Sequence, residues 1–239
     1  MDGVKGLIVK VIPSNVAIPF VKKHHYSGKV VNNSSLHFGV FMDGVLHGVM
    51  SFGSPMDKSK VIGLVVDENG NPVPWHDMLE LNRMAFDDVL PKNSESRSIS
   101  VAFKLIKKNA PNIKWVLSFA DGTQCGDGTI YRASGFVLTD IRANKNTCRL
   151  RDGSVIHKMT LESNPSQKRK DLGWMSYYDI TGGRFDFTGF CQKIGAVVLN
   201  GFQLRYIRII DKNYHLAVPE LPFSEIEKRG AGMYKGQKR

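Results

Sequence analysis

A mixed α/β fold is predicted by three features of the sequence. Apolar runs with strand periodicity alternate with turn residues, one strongly amphipathic helical stretch sits near the middle, and a glycine-rich loop from Phe119 to Phe136 is set between a strand and a short helix. A chain of 239 residues is long enough for one sizeable core plus an appendage.

The elements follow in order. Gly6 to Pro13 reads as a first strand ended by proline, and Ser14 to His25 as a helical or irregular segment interrupted by Pro19. Leu36 to Phe52 is a hairpin folded about Asp43-Gly44, the dipeptide suited to a tight primed turn. Residues 54–78 carry Pro55, Gly63, Gly70, Pro72 and Pro74 and read as loop with one short strand. Met78 to Phe86 is a further strand, its polar Asn82 and Arg83 near the carboxyl end. After Pro91 the period changes. Ile99, Ala102, Phe103 and Ile106 fall on one helical face, Asn93-Ser94-Glu95-Ser96 supplies N-cap candidates, and Pro111 stops the helix.

Ile113 to Ala120 is a buried strand, with Asp121 at its carboxyl end. Thr129 to Ser134 is a short helix closed by Gly135 and carrying Tyr131. In open α/β sheets ligands bind at that end of a strand, although a glycine-rich turn whose aspartate only caps the next helix fits the same residues. Phe136 to Arg142 and Val155 to Leu161 read as antiparallel partners. Residues 162–195 are polar, aromatic and glycine-rich, Gly201 to Ile210 returns to the strand pattern, and the last fifteen residues form a basic tail. These boundaries give a core over 1–161 and a basic C-terminal extension over 162–239, packed on or completing that core.

Charge is the second strong signal. With 33 Lys and Arg against 22 Asp and Glu the net charge is +11, which suits a polyanionic partner, nucleic acid before a membrane surface. Lys22, Lys23, Lys168, Arg169 and Lys170 stand in clusters spread along the chain, as a folded basic face requires, and Lys235, Lys238 and Arg239 extend the pattern into the tail. Lys107 and Lys108 end a helix, where cations simply suit the dipole. No apolar run approaches a membrane span and no signal-peptide pattern opens the chain, so the expected location is cytoplasmic. Cys125, Cys148 and Cys191 lack paired spacing and are expected to be reduced thiols.

The order strand, helical segment, hairpin, strand, long helix, strand, short helix, strand, strand matches the GCN5-related N-acetyltransferase class (GNAT-like). That class has a mixed, splayed sheet with helices on both faces. Its cofactor pyrophosphate lies on the N-terminus of the long helix, here Ser94-Glu95-Ser96-Arg97-Ser98. The glycine-rich pyrophosphate signature of the class is missing, which leaves use of coenzyme A open.

Five stretches, His24 to Gly28, Leu46 to Gly53, Glu80 to Phe86, Asn93 to Ser98 and Phe119 to Phe136, together resemble the Mom family of phage DNA-modifying proteins. The resemblance is good over residues 6–161 and looser beyond. It implies a transferase that converts adenine in double-stranded DNA to its N6-methylcarbamoyl (acetamido) form, protecting phage DNA from host restriction enzymes within a bacterial cell. It carries functional roles onto His25, Tyr26, Arg83, Ser96, Asp121 and Tyr131.

An exocyclic amine is a weak nucleophile, so a base must take its proton as the new bond forms. Asp121 or His25 fits that role, and Tyr131 stands where such enzymes keep a tyrosine that protonates the leaving group. Arg83, with Ser94, Ser96 and Arg97, would hold the anionic end of the donor. The donor is unknown, with acetyl-coenzyme A one candidate. Iron is associated with the family, and His25, Tyr26, Asp121 and Tyr131 are suitable ligand types, but they show no confirming spacing, so the metal is unknown. Arg83 could instead only pair with Asp121 or Glu80. Extruding the base calls for apolar or aromatic surfaces, for which Trp75 and His76, or Trp174, Tyr177 and Tyr178, are available. Competing readings are a basic DNA-binding protein without catalysis and an ordinary N-acetyltransferase. The oligomeric state, a dimer included, is open.

Overall fold

The computed structural model describes residues 6–122, 126–234, 237 and 238; Cys125, Lys235 and Arg239 lie outside them. The chain forms two compact units, the first of residues 1–120, 128–140 and 204–225, the second of residues 121–127, 141–203 and 226–239. The division therefore does not fall at residue 161: residues 204–225 fold with the first unit and 141–161 with the second.

In the first unit β1 (Ile8–Ile12) leads into α1 (Ser14–His24). Pro19 does not end this helix. It forfeits one interior hydrogen bond, while Ala17 and Val21 stay buried with Ile12, Val49 and Ala85 and hold the helix on the sheet. The hairpin is β2 (Ser34–Met42) and β3 (Val45–Gly53), turned through Asp43 and Gly44, both at positive φ as a primed turn demands. A short β4 (Val65–Val66) precedes β5 (Met78–Phe86), and α2 (Ser94–Asn109) crosses over to β6 (Trp115–Asp121). Of α2, Ile99, Ala102, Phe103 and Ile106 are buried, the face expected from the spacing.

After α3 (Thr129–Ala133) comes β7 (Val137–Arg149), and residues 137–140 belong to this unit. In the second unit follow β8 (Val155–His157), α4 (Lys158–Glu162), α5 (Tyr177–Thr181) and α6 (Phe187–Ile194). β9 (Val197–Ile209) returns with residues 204–209 in the first unit, where β10 (His215–Leu216) pairs with β4. The last helix is α7 (Ser224–Lys228).

The strands of the first unit are ordered β1-β2-β3-β5-β6-β9-β7. β1 to β5 are antiparallel, and β5 to β6 is parallel, as the α2 crossover requires. The parallel pairing runs from Met78 opposite Trp115 to Leu81 opposite Ser118. Beyond it each strand continues, β5 to Phe86 and β6 to Asp121.

The second unit has its own core of Cys148, Leu150, Ile156, Leu161, Leu172, Tyr177, Ile180, Phe187, Phe190 and Cys191. Residues 158–161, expected as strand, turn into α4, and the stretch 162–195 holds two helices that composition alone does not suggest. Burial pushes the Cys148 thiol up to about 12, with Cys191 adding to the shift, so both described cysteines are unreactive core residues. No described helix is long and apolar enough to cross a membrane.

Candidate functional site

Cross-strand register places three polar side chains side by side in the first unit. His37 on β2 is opposite Ser51 on β3, and Ser51 is opposite Arg83 on β5. Two residues along the same face the row reads Gly39, Val49 and Ala85, the apolar floor beneath α1. The polar row borders a cavity of about 290 Å³, whose other walls are Ile18 and Val21 of α1 and the segment Val30, Val31, Asn32 and Ser34. Gly53 shapes that segment. A β-carbon there would overlap the Asn33 carbonyl, so only glycine lets residues 33–34 lie against β3.

His37 is 4% exposed, and its Nδ1 lies 2.8 Å from Ser51 Oγ. Burial holds its pKa below the usual histidine value, which keeps the ring neutral. Its Nε2 has no hydrogen-bond partner among the described residues. Asn82, also buried, accepts at Oδ1 from Ser34 Oγ (2.8 Å), while its Nδ2 is unpartnered among the described residues. A buried polar atom left unsatisfied costs ~1–3 kcal/mol, so the His37 Nε2 on the cavity lining is an expense that packing does not explain.

Arg83 fixes the chain that follows α1. Its Nε donates to the Lys29 carbonyl (3.0 Å) and its Nη1 to the Asn82 carbonyl (2.6 Å). Burial pushes the Glu80 carboxyl up; a hydrogen bond from the Met56 amide and the charge of Arg83 oppose that shift. His25 closes α1 and is pulled down to about 4, first by burial and then by the Arg83 charge. Its Nδ1 accepts the Ser27 amide (3.2 Å) and lies 2.8 Å from Ser27 Oγ, so the neutral ring carries its proton on Nε2. Tyr26 packs on the His25 ring at 4.3 Å and is 55% exposed. A group with a pKa of about 4 is unprotonated at neutral pH and removes a proton with little driving force.

These shifts fix a pH dependence. A histidine whose folded pKa is depressed takes its proton more readily when unfolded. Its stabilising effect is therefore complete above the unfolded value of 6.5 and is lost as pH falls towards about 4. The loss from His25 amounts to ~3 kcal/mol at most. Thermal unfolding should show Tm falling through this window, and His25→Gln should flatten the fall. A wild-type Tm unchanged between neutral pH and pH 4 would contradict the burial of both rings.

The start of α2 is uncapped by any side chain, and Asn93 before it is left-handed with φ 68°. Ser94 Oγ donates to the Pro91 carbonyl (2.7 Å) and Ser96 Oγ to the Asn93 carbonyl (3.2 Å), so neither hydroxyl caps an amide. Arg97 is exposed beside them. Tyr131 packs tilted against Tyr206 (5.3 Å) and edge-on to Phe136 (5.4 Å). Gly128, φ 76°, precedes α3 at a point where a β-carbon would come within 2.6 Å of the Tyr206 ring.

Asp121 ends β6 and falls in the second unit. There Lys168 and Lys170 are exposed, while Arg169 forks onto Asp171 (2.9 and 2.6 Å). Trp174 beside them is 67% exposed with φ 64°, an unusual backbone for a bulky residue. Lys22 and Lys23 are exposed on the last turn of α1.

The structure thus gathers His25, Tyr26 and Arg83 about the end of α1, sets Ser94, Ser96 and Arg97 at the start of α2, and packs Tyr131 on Tyr206. His37, Ser51 and Ser34 join Arg83 at the cavity without having been expected. Among the described residues no three His, Cys, Asp or Glu side chains are grouped to hold a metal ion.

Residues 6–225 match the Mom protein family. The methylcarbamoylase Mom of Escherichia phage Mu is 35% identical over 211 residues, covering 88% of this chain and 78% of that protein. Among solved structures, an N-acetyltransferase from Staphylococcus aureus Mu50 aligns at TM-score 0.46 and 8% identity, over 87% of this chain and all of that one. The ribosomal-protein-S18-alanine N-acetyltransferase of Escherichia coli aligns at 0.44 and 9%, over 86% and 94%.

Proposed function

The chain belongs to the Mom protein family, and from that membership we propose that it is a transferase that modifies the N6 amine of adenine in double-stranded DNA to the methylcarbamoyl form. The observation that carries the reading is the 35% identity to the phage Mu methylcarbamoylase along 88% of this chain. The basic charge and the polar groups on strand ends support it.

In the reaction proposed, N6 attacks the donor carbon, a base takes the N6 proton, and the bond to the leaving group breaks as that group is protonated. Asp121, at the end of β6, is assigned as that base, with His25 at the end of α1 the alternative. Tyr131 supplies the proton to the leaving group. Arg83, Ser94, Ser96 and Arg97 hold the anionic end of the donor, for which the uncapped start of α2 offers backbone N–H groups. The donor is unknown; acetyl-coenzyme A is one candidate, although the glycines that would admit its pyrophosphate are missing from Asn93 to Ser98. Lys22, Lys23, Lys168, Arg169 and Lys170 bind the DNA backbone in this scheme.

Plasmid DNA from cells expressing the protein should resist restriction enzymes whose sites contain adenine, and Ser96→Ala should restore cleavage. Plasmid fully cleaved despite soluble, folded protein would count against the function.

A further inference from the structure

We infer that the cavity beside α1 is the seat of an extruded purine base, and that His37, steadied by Ser51, meets the polar edge of that base. The inference rests on the proposed adenine-modifying function and deepens it by placing the substrate.

Size, walls and charge favour a base over the group donor. About 290 Å³ is at the small end of ligand pockets, suited to one flat heteroaromatic ring system and not to a nucleotide-sized carrier. Ile18, Val21, Val30 and Val31 supply apolar surface for ring faces, while His37, Ser51 and Arg83 form a polar row for an edge, the division of labour that an extruded base requires. Among the described residues of the lining Arg83 is the one cation, so the walls as a whole suit an uncharged ring. Lys22 and Lys23 stand exposed on the helix that lines the cavity, placed for phosphates of the strand from which the base is drawn.

The polar row costs stability unless something pairs with it. His37 is buried and neutral, Ser51 engages its Nδ1, and Nε2 is unpartnered among the described residues. In the tautomer with Nδ1–H donating to Ser51 Oγ, Nε2 accepts from the exocyclic amine of adenine. That tautomer is taken as the bound one; a 6-oxo purine, which needs the other, with Ser51 Oγ donating to Nδ1, would then bind more weakly.

The test uses the full chain with ¹⁵N-labelled histidines, titrated separately with 9-methyladenine and 9-methylhypoxanthine in the millimolar range expected for so small a ligand. The His37 ring signals, assigned by their loss in His37→Gln, should shift saturably with methyladenine and at least about 10-fold more weakly with methylhypoxanthine. No shift with either, or equal shifts with both, would overturn the assignment.

In cells, His37→Phe should lower the modified nucleoside at least about 10-fold while DNA affinity and fold persist. A product level equal to wild type would remove His37 from the site and leave the proposed function standing. Absence of product from the wild-type protein would instead strike the function, and the titration would then judge the cavity by itself. The titration also decides the matter if His37→Phe fails to fold.

Discussion

Asp121→Asn and Tyr131→Phe are each expected to lower the modified nucleoside by about 100-fold or more, the ordinary yield of a positioned acid or base, while leaving the protein folded and bound to DNA. Asparagine keeps the shape of aspartate and cannot take a proton. Phenylalanine preserves the ring that packs 5.3 Å from Tyr206 and 5.4 Å from Phe136, so α3 should stay docked. The phenolic hydroxyl is lost. Nucleoside yield, unfolding temperature and DNA affinity should be measured for both variants. Wild-type yield from both would remove the acid and base assigned here, whereas loss of yield accompanied by unfolding would show a structural role.

Affinity for duplex DNA is expected to fall steeply with salt. Each phosphate neutralised by a lysine or arginine releases condensed counterions, giving a log–log slope of about −0.9 per contact; about six contacts would cost roughly 10³-fold in affinity between 50 and 200 mM salt. The basic residues should not contribute equally. Lys22, Lys23, Lys168 and Lys170 are exposed, whereas Arg169 is held in a two-point fork by Asp171. Lys168→Ala and Lys170→Ala should each make the slope shallower by about one unit, and Arg169→Ala by less. A wild-type slope of about −1 or shallower would mean that the +11 charge serves something other than DNA.

The course of the main chain through the first unit was legible because local chemistry decided it. Asp43-Gly44 set the hairpin, the 3.6-residue period set α2, and Gly128, at positive φ, leads into α3. The cavity was not legible, and the reason is a register shift. A two-residue turn pairing Met42 with Val45 would, continued without interruption, set His37 opposite Met50; the bulge between Val40 and Phe41 moves the pairing by one residue and brings Ser51 opposite His37. Nothing in the strand's composition announces that bulge. The placing of Ser51 opposite Arg83 depends likewise on the tertiary pairing of β3 with β5.

In the second unit the signals were present but local. Ser176 and Asp179 form a capping box, and Phe187, Phe190 and Cys191 are spaced for one helical face. The surrounding glycines and charges obscured two helices too short to show a sustained period. Pro19 misled in the opposite direction, since burial of Ala17 and Val21 outweighs the bond it removes. The charge of Arg83 acts on His25, a relation that their separation in sequence does not reveal.

Mass spectrometry of nucleosides, digested from total DNA of bacteria that express this chain, tests the central claim most directly. A new deoxyadenosine species carrying the added mass of the methylcarbamoyl group should be present, and it should be absent from cells carrying Asp121→Asn. An unaltered deoxyadenosine pool, with the wild-type protein shown to be folded and abundant, would contradict the proposed function.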